Sequence, residues 1–152
     1  MTHLKEGDIA PDFSVENADG KITSLEKFKG KKLVLYFYPK DNTPGCTAEA
    51  CNLRDNFQLL KNKGFQILGV SPDNEISHQK FSSKYDLPFD LVPDTNKKIL
   101  KDYGVWGQKK MFGKIKEGVL RTTFIIDEKG KIEKVFDKVQ TKNHTQQILN
   151  EH

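Results

Sequence analysis

The two cysteines of this chain, Cys46 and Cys51, stand five positions apart, and Cys46 directly follows Pro44-Gly45 at the end of a run of turn-forming residues. A thiol attacks as its thiolate, and positive partial charge around the sulfur favours that form. A helix start supplies such charge through backbone N–H groups without partners and the positive end of the helix dipole. Ionisation alone raises reactivity only modestly, because nucleophilicity declines as a thiol becomes more acidic. Cleaving a peroxide bond with this sulfur would also require fixed donors that take up negative charge on the departing oxygen. Thr43, three residues before Cys46, and Arg121 have the right chemistry. Arg121 is one of only two arginines among 25 basic residues, so guanidinium geometry is a reason for its presence.

Each of these residues also has an ordinary reading. Free cysteine is among the most buried residue types. Threonine is at home in turns, and a lone arginine is commonly a surface cation or, here, an ion-pair partner for Glu49. His3, His78, His144 and His152 are scattered along the chain, and one C-x4-C pair supplies half of a structural zinc shell. No metal and no other cofactor is required. Trp106, Tyr103 and Phe112 read as packing residues.

The elements that must position these side chains follow from periodicity and turn chemistry. Phe13 to Glu16 and Lys21 to Leu25 alternate around Asn17-Ala18-Asp19-Gly20 and read as a hairpin. Lys32 to Tyr38 is continuously apolar after its lysine, as a strand covered on both faces is. Pro39 to Gly45 is a loop by every turn rule. From Thr47 to Asn62 the apolar residues Ala50, Leu53, Phe57 and Leu60 recur at helical spacing up to Gly64, which predicts one helix with Cys46 at its start.

Further on, the pattern predicts a strand at Gln66 to Val70, a helix at Glu75 to Tyr85, an apolar segment at Phe89 to Val92 and a helix at Asn96 to Tyr103. Thr123 to Asp127 and Lys131 to Phe136 form a second hairpin around Glu128-Lys129-Gly130, and Asn143 to Asn150 a closing helix. A parallel central pair, an antiparallel edge hairpin and helices between them specify an α/β fold. It is a thioredoxin-like three-layer sandwich with an added N-terminal β-hairpin. In such sheets ligands bind beyond the carboxyl ends of the strands, where the Pro39 to Cys46 loop emerges.

Composition narrows the classes. The 152 residues contain no Pro-, Gly- or Ser-rich divider, so residues 1–152 are expected to form a single domain. The longest apolar run, Leu33 to Tyr38, falls far short of the roughly 20 residues of a spanning helix, and no membrane partner is expected. No secretory signal pattern is visible at Met1 to Asp8, so the expected location is cytoplasmic. Thiols there are kept reduced, so the cysteines are expected to do chemistry or to be inert rather than to form a structural staple. The net charge of +4 is spread along the chain, unlike the clustered basic residues of a nucleic-acid binder.

The loop as a whole carries a stronger signal. Pro39, Thr43 and Cys46, in Tyr38-Pro39-Lys40-Asp41-Asn42-Thr43-Pro44-Gly45-Cys46-Thr47, fit the pattern P-x3-T-x2-C. With Glu49, Cys51, Gly69-Val70-Ser71, His78, Tyr103-Gly104-Val105-Trp106 and Arg121-Thr122-Thr123-Phe124, the chain resembles the peroxiredoxins from Gly7 onward. Within them it is similar to the bacterioferritin comigratory, or PrxQ-type, subgroup.

The resemblance implies a peroxidase that reduces hydrogen peroxide and organic hydroperoxides, serving antioxidant defence and redox homeostasis. Cys46 would be the attacking cysteine, Thr43 and Arg121 would bind peroxide and thiolate, and Pro39 would shield the site. Cys51 would resolve the Cys46 sulfenic acid as an intramolecular disulfide. Thioredoxin or a similar dithiol would be the reductant, and the protein would act as a monomer. On an intact helix, five residues separate two Cα atoms by roughly 8 to 9 Å, whereas a disulfide seldom spans more than about 7 Å. The first turns of the helix would therefore have to unwind.

Two other classes compete. A dithiol oxidoreductase of the same fold would reduce insulin without consuming peroxide, but its usual spacing is C-x2-C. A non-enzymatic binding or chaperone module would keep its activity after Cys46→Ser.

Overall fold

The computed structural model describes residues 1–151; His152 lies outside the described residues. A five-stranded sheet is built on β3 (Lys32–Phe37), the apolar run, which occupies the central position. On one side β3 pairs in parallel with β4 (Phe65–Ser71), which pairs in parallel with β5 (Asp90–Pro93). On the other side β3 pairs antiparallel with β8 (Thr122–Ile126), which pairs antiparallel with β9 (Ile132–Phe136).

Both faces of β3 are covered, which explains a run without polar alternation. Leu33, Leu35 and Phe37 join one core with Ile99, Leu100 and Tyr103, from and just after α4 (Lys98–Asp102). Val34, Tyr36 and Tyr38 join the other, built from α1 (Pro44–Asp55), α2 (Phe57–Asn62), α3 (Glu75–Tyr85) and α5 (His144–Glu151). The result is the expected thioredoxin-like three-layer arrangement. The N-terminal hairpin is present as β1 (Ser14–Glu16) and β2 (Ile22–Ser24). No helix among the described residues is long and apolar enough to cross a membrane.

Three local expectations change. Phe112, expected to pack, is exposed at 98%. The single helix over Thr47 to Asn62 is two helices, divided at Asn56, whose backbone leaves the helical region (φ −109, ψ 13). The Asn56 side-chain amide donates to the Asn52 carbonyl at 2.8 Å, the local side-chain competition that makes asparagine a helix breaker. Between α4 and β8 lies a hairpin that periodicity does not reveal, β6 (Trp106–Met111) with β7 (Lys114–Val119). From Lys114 to Glu117 β7 is exposed throughout, so no inside-outside alternation marks it.

Candidate active site

Because β8 runs antiparallel to β3 with Phe37 opposite Thr122, Arg121 lies beside the exit of β3, where the loop to α1 begins. Residues 75 apart in sequence thus meet: Arg121 Nη2 donates to Cys46 Sγ at 3.3 Å. Arg121 Nη1 donates to Glu49 Oε1 at 2.7 Å, so the guanidinium spans the sulfur and a carboxylate one turn further along α1. Arg121 thus contacts the cysteine and Glu49 at once. Gly45 permits the approach, since a Cβ there would stand 3.3 Å from Nη2.

Cys46 is buried in the first turn of α1, two residues after Pro44 at the helix start. Proline suits that position because its missing N–H would have no intrahelical partner. Thr43 precedes the helix in extended conformation, and no side chain caps it. The helix therefore offers its first-turn N–H groups and its dipole to the sulfur and to whatever binds there. The Thr43 hydroxyl donates its hydrogen to the Lys40 carbonyl at 2.8 Å. With its hydrogen committed there, that hydroxyl has only lone pairs left to offer. Pro39 is half-buried just past the end of β3.

Cys51 is half-buried, both cysteines are free thiols, and α1 is continuous through both. Beside Cys51, Asn52 ties α1 to the start of α5: its Nδ2 donates to Lys142 O at 3.0 Å, and Thr145 N donates to its Oδ1 at 2.8 Å.

Two buried carboxylates flank the loop. Asp41 Oδ1 accepts from Tyr38 at 2.6 Å, and Oδ2 lies 2.7 Å from His78 Nδ1 and accepts from Ser77 at 2.7 Å. Burial opposes ionisation of Asp41, but the hydrogen bonds from His78, Tyr38 and Ser77 and the charge of His78 outweigh it and hold the carboxyl below its ordinary value. Asp73 accepts from the Asp41 backbone N–H at 2.6 Å. Ligand-type atoms of Asp41, Asp73 and His78 lie within 4.8 Å of one another, but these hydrogen bonds account for the grouping.

Glu49 is completely buried, and its Oε2 has no hydrogen-bond partner among the described residues. Burial pushes this carboxyl up to about 7 against the pull of Arg121. His144 Nε2 is 3.6 Å from Oε2, and burial keeps that imidazole neutral down to about 4. The Tyr36 hydroxyl, also buried and without a partner among the described residues, faces the same cluster. Its ring stands over Gly69 of β4, where a Cβ would lie 2.9 Å from the ring.

Arg121 opens onto a cleft of about 550 Å³, also lined by Lys109, Leu120, Thr122 and Lys138. Lys109 is held below its ordinary value by burial and by Arg121. A second cleft, of about 500 Å³ between Ala18, Gln79 and Leu91, contains none of the groups that contact Cys46. Sequence reasoning missed Lys109 and the Tyr36 hydroxyl. A tyrosine inside an apolar strand was the available signal for Tyr36, whereas an exposed lysine-rich hairpin gave none for Lys109.

A sheet of this topology, with a thiol beneath a guanidinium at its carboxyl edge, defines a thiol-based redox enzyme of the thioredoxin-like class. The chain matches the AhpC/TSA family over residues 7–135. It is 45% identical over 150 residues to peroxiredoxin Bcp of Escherichia coli K12, covering 99% of this chain and 96% of that protein. The structure of peroxiredoxin Q from Xanthomonas campestris superposes with a TM-score of 0.87 at 33% identity, over 98% of this chain and 94% of that one. A PrxQ variant from Xylella fastidiosa superposes with a TM-score of 0.91 at 30% identity, over 99% and 96%. This chain belongs to the AhpC/TSA family and, within it, to the peroxiredoxins of the Bcp and PrxQ kind.

Proposed function

We propose that this peroxiredoxin, acting as a single-domain monomer in the cytoplasm, reduces hydrogen peroxide and organic hydroperoxides through a two-cysteine cycle within one chain. The observation that carries the reading is the Arg121 contact at 3.3 Å from a sulfur buried at a helix entrance. A peroxide seated there meets donors for its departing oxygen and, at Thr43, an acceptor for its O–H. Pro39 limits access of water from the strand side. Among structural relatives, the bacterioferritin comigratory protein of Xanthomonas campestris has alkyl peroxide reduction activity, which supports the organic substrates.

In the first step the Cys46 thiolate takes the OH of the hydroperoxide and becomes a sulfenic acid. The O–O bond breaks, and the alkoxide or hydroxide takes one proton from solvent and leaves as alcohol or water. In the second, the Cys51 thiol displaces water from the sulfenic acid, and the Cys46–Cys51 disulfide forms. Because both cysteines lie on one continuous helix, this step requires the turns between them to open. Thioredoxin or a similar dithiol then reduces the disulfide, a cycle suited to antioxidant defence. Replacing Cys51→Ser is expected to permit one rapid turnover and to leave Cys46 oxidised. Sustained peroxide consumption by that variant with thioredoxin would remove Cys51 from the mechanism.

A further inference from the structure

We propose that Glu49 is a positioning residue for the resolving step, its half-satisfied buried carboxylate weakening the turns of α1 that must open before Cys51 reaches Cys46. The inference rests on the two-cysteine reading above and concerns what makes the second step feasible.

Glu49 sits between the two cysteines on the buried face of α1. Arg121 satisfies Oε1, but the proton inventory of His144 leaves nothing for Oε2. Gln147 Oε1 accepts from Gln140 N at 3.0 Å while Gln147 Nε2 donates to Lys138 O at 2.9 Å, which fixes the orientation of the amide. His144 Nδ1, 2.9 Å from that Oε1, must then carry the ring proton. Nε2 is left as a lone pair that accepts from Thr123 at 2.8 Å. Glu49 Oε2 therefore faces another acceptor at 3.6 Å.

A buried oxygen without a donor destabilises whatever structure buries it. Opening α1 releases the carboxylate to water, while His144 keeps its bonds to Thr123 and Gln147, neither of which is on α1. The groups facing Glu49 are Arg121 before β8, His144 on α5, Tyr36 on β3 and Cys46 on α1 itself. Since folded α1 holds the Glu49 proton more tightly than open α1 does, the closed helix is favoured at low pH. That preference is lost as pH rises from the ordinary carboxyl value of 4.5 through about 7. Resolution is thereby helped as the carboxylate ionises.

The test is amide hydrogen exchange on a Cys46→Ser background, where position 46 cannot titrate and no peroxide chemistry is needed, compared with the same protein carrying Glu49→Gln as well. Between pH 6.5 and 8 buried His144 is neutral, and because it keeps its partners when α1 opens its titration does not enter. Exchange protection in α1, corrected for intrinsic rates, is expected to fall by about fourfold over this range in the glutamate protein and to stay level in the glutamine protein. At pH 8 the glutamine protein should be the better protected, its amide placing a donor toward His144. Should the glutamine protein not fold, the glutamate protein alone decides, with α3 amides as the internal reference. Equal pH dependence in α1 and α3, or the same decline with glutamine in place, overturns the proposal and leaves the peroxidase reading untouched.

Discussion

Asp41 and Glu49 are both buried carboxylates beside a buried histidine, 2.7 Å from His78 in one case and 3.6 Å from His144 in the other. Asp41 has donors on both oxygens and ionises more readily than a free carboxyl. Glu49 has one satisfied oxygen and ionises near neutrality. The difference follows the parts they serve. Asp41 fastens the start of the loop to α3, which has no need to move. Glu49 belongs to the turns between the cysteines, which must open in the cycle proposed above. The same pair of residue types thus acts as a fixed anchor or as a yielding contact, according to whether the histidine offers a proton or a lone pair.

The largest effect is expected from breaking the complete pair. Asp41→Ala would leave Tyr38 and His78 without their buried acceptor and cost about 3 to 5 kcal/mol of stability, measured by urea unfolding. A loss below about 1 kcal/mol would show that the anchor is no firmer than an exposed ion pair. Next comes the cation shared by the sulfur and the incomplete pair. Arg121→Ala is expected to slow the peroxide step about a hundredfold to a thousandfold, read by stopped-flow at fixed peroxide. A change under about tenfold would mean that the helix entrance alone activates the sulfur.

The smallest effect sharpens the contrast through pH. The raised Glu49 value means stability present at low pH and lost as pH rises through about 7. The lowered His144 value works in the opposite sense, its stability being lost as pH falls from 6.5 toward about 4. The lowered Asp41 value likewise gives stability above the ordinary carboxyl range that is lost in acid. Above the ordinary imidazole value of 6.5 Glu49 still loses more than His144 has left to gain, and Asp41 no longer changes. Unfolding free energy is expected to decline there by up to about 1 kcal/mol toward pH 8, and Glu49→Gln should flatten that decline.

Much of this architecture is legible in the sequence because burial writes itself as periodicity. The unbroken apolar run of β3, the span of α3 and the Gly-centred hairpin of β8 and β9 all lie where pattern and turn chemistry place them. The β6–β7 hairpin escapes because much of it has no buried face to alternate with. The division at Asn56 escapes because Leu53, Phe57 and Leu60 keep helical spacing across it. In the site, the loop motif brings Cys46, Thr43 and Arg121 to attention. The Thr43 hydroxyl is turned by a carbonyl three residues away and the His144 proton by the amide of Gln147, while the unpaired oxygen of Glu49 depends on how α1, β8 and α5 meet, none of which spacing encodes.

The most direct measurement is the intact mass of the reduced protein after one equivalent of hydrogen peroxide, followed by peptide mapping without reductant. Loss of two hydrogens and a single linked peptide joining Cys46 to Cys51 are expected. An unchanged mass, or oxygen retained on Cys46 while Cys51 stays a free thiol, would contradict the two-cysteine cycle.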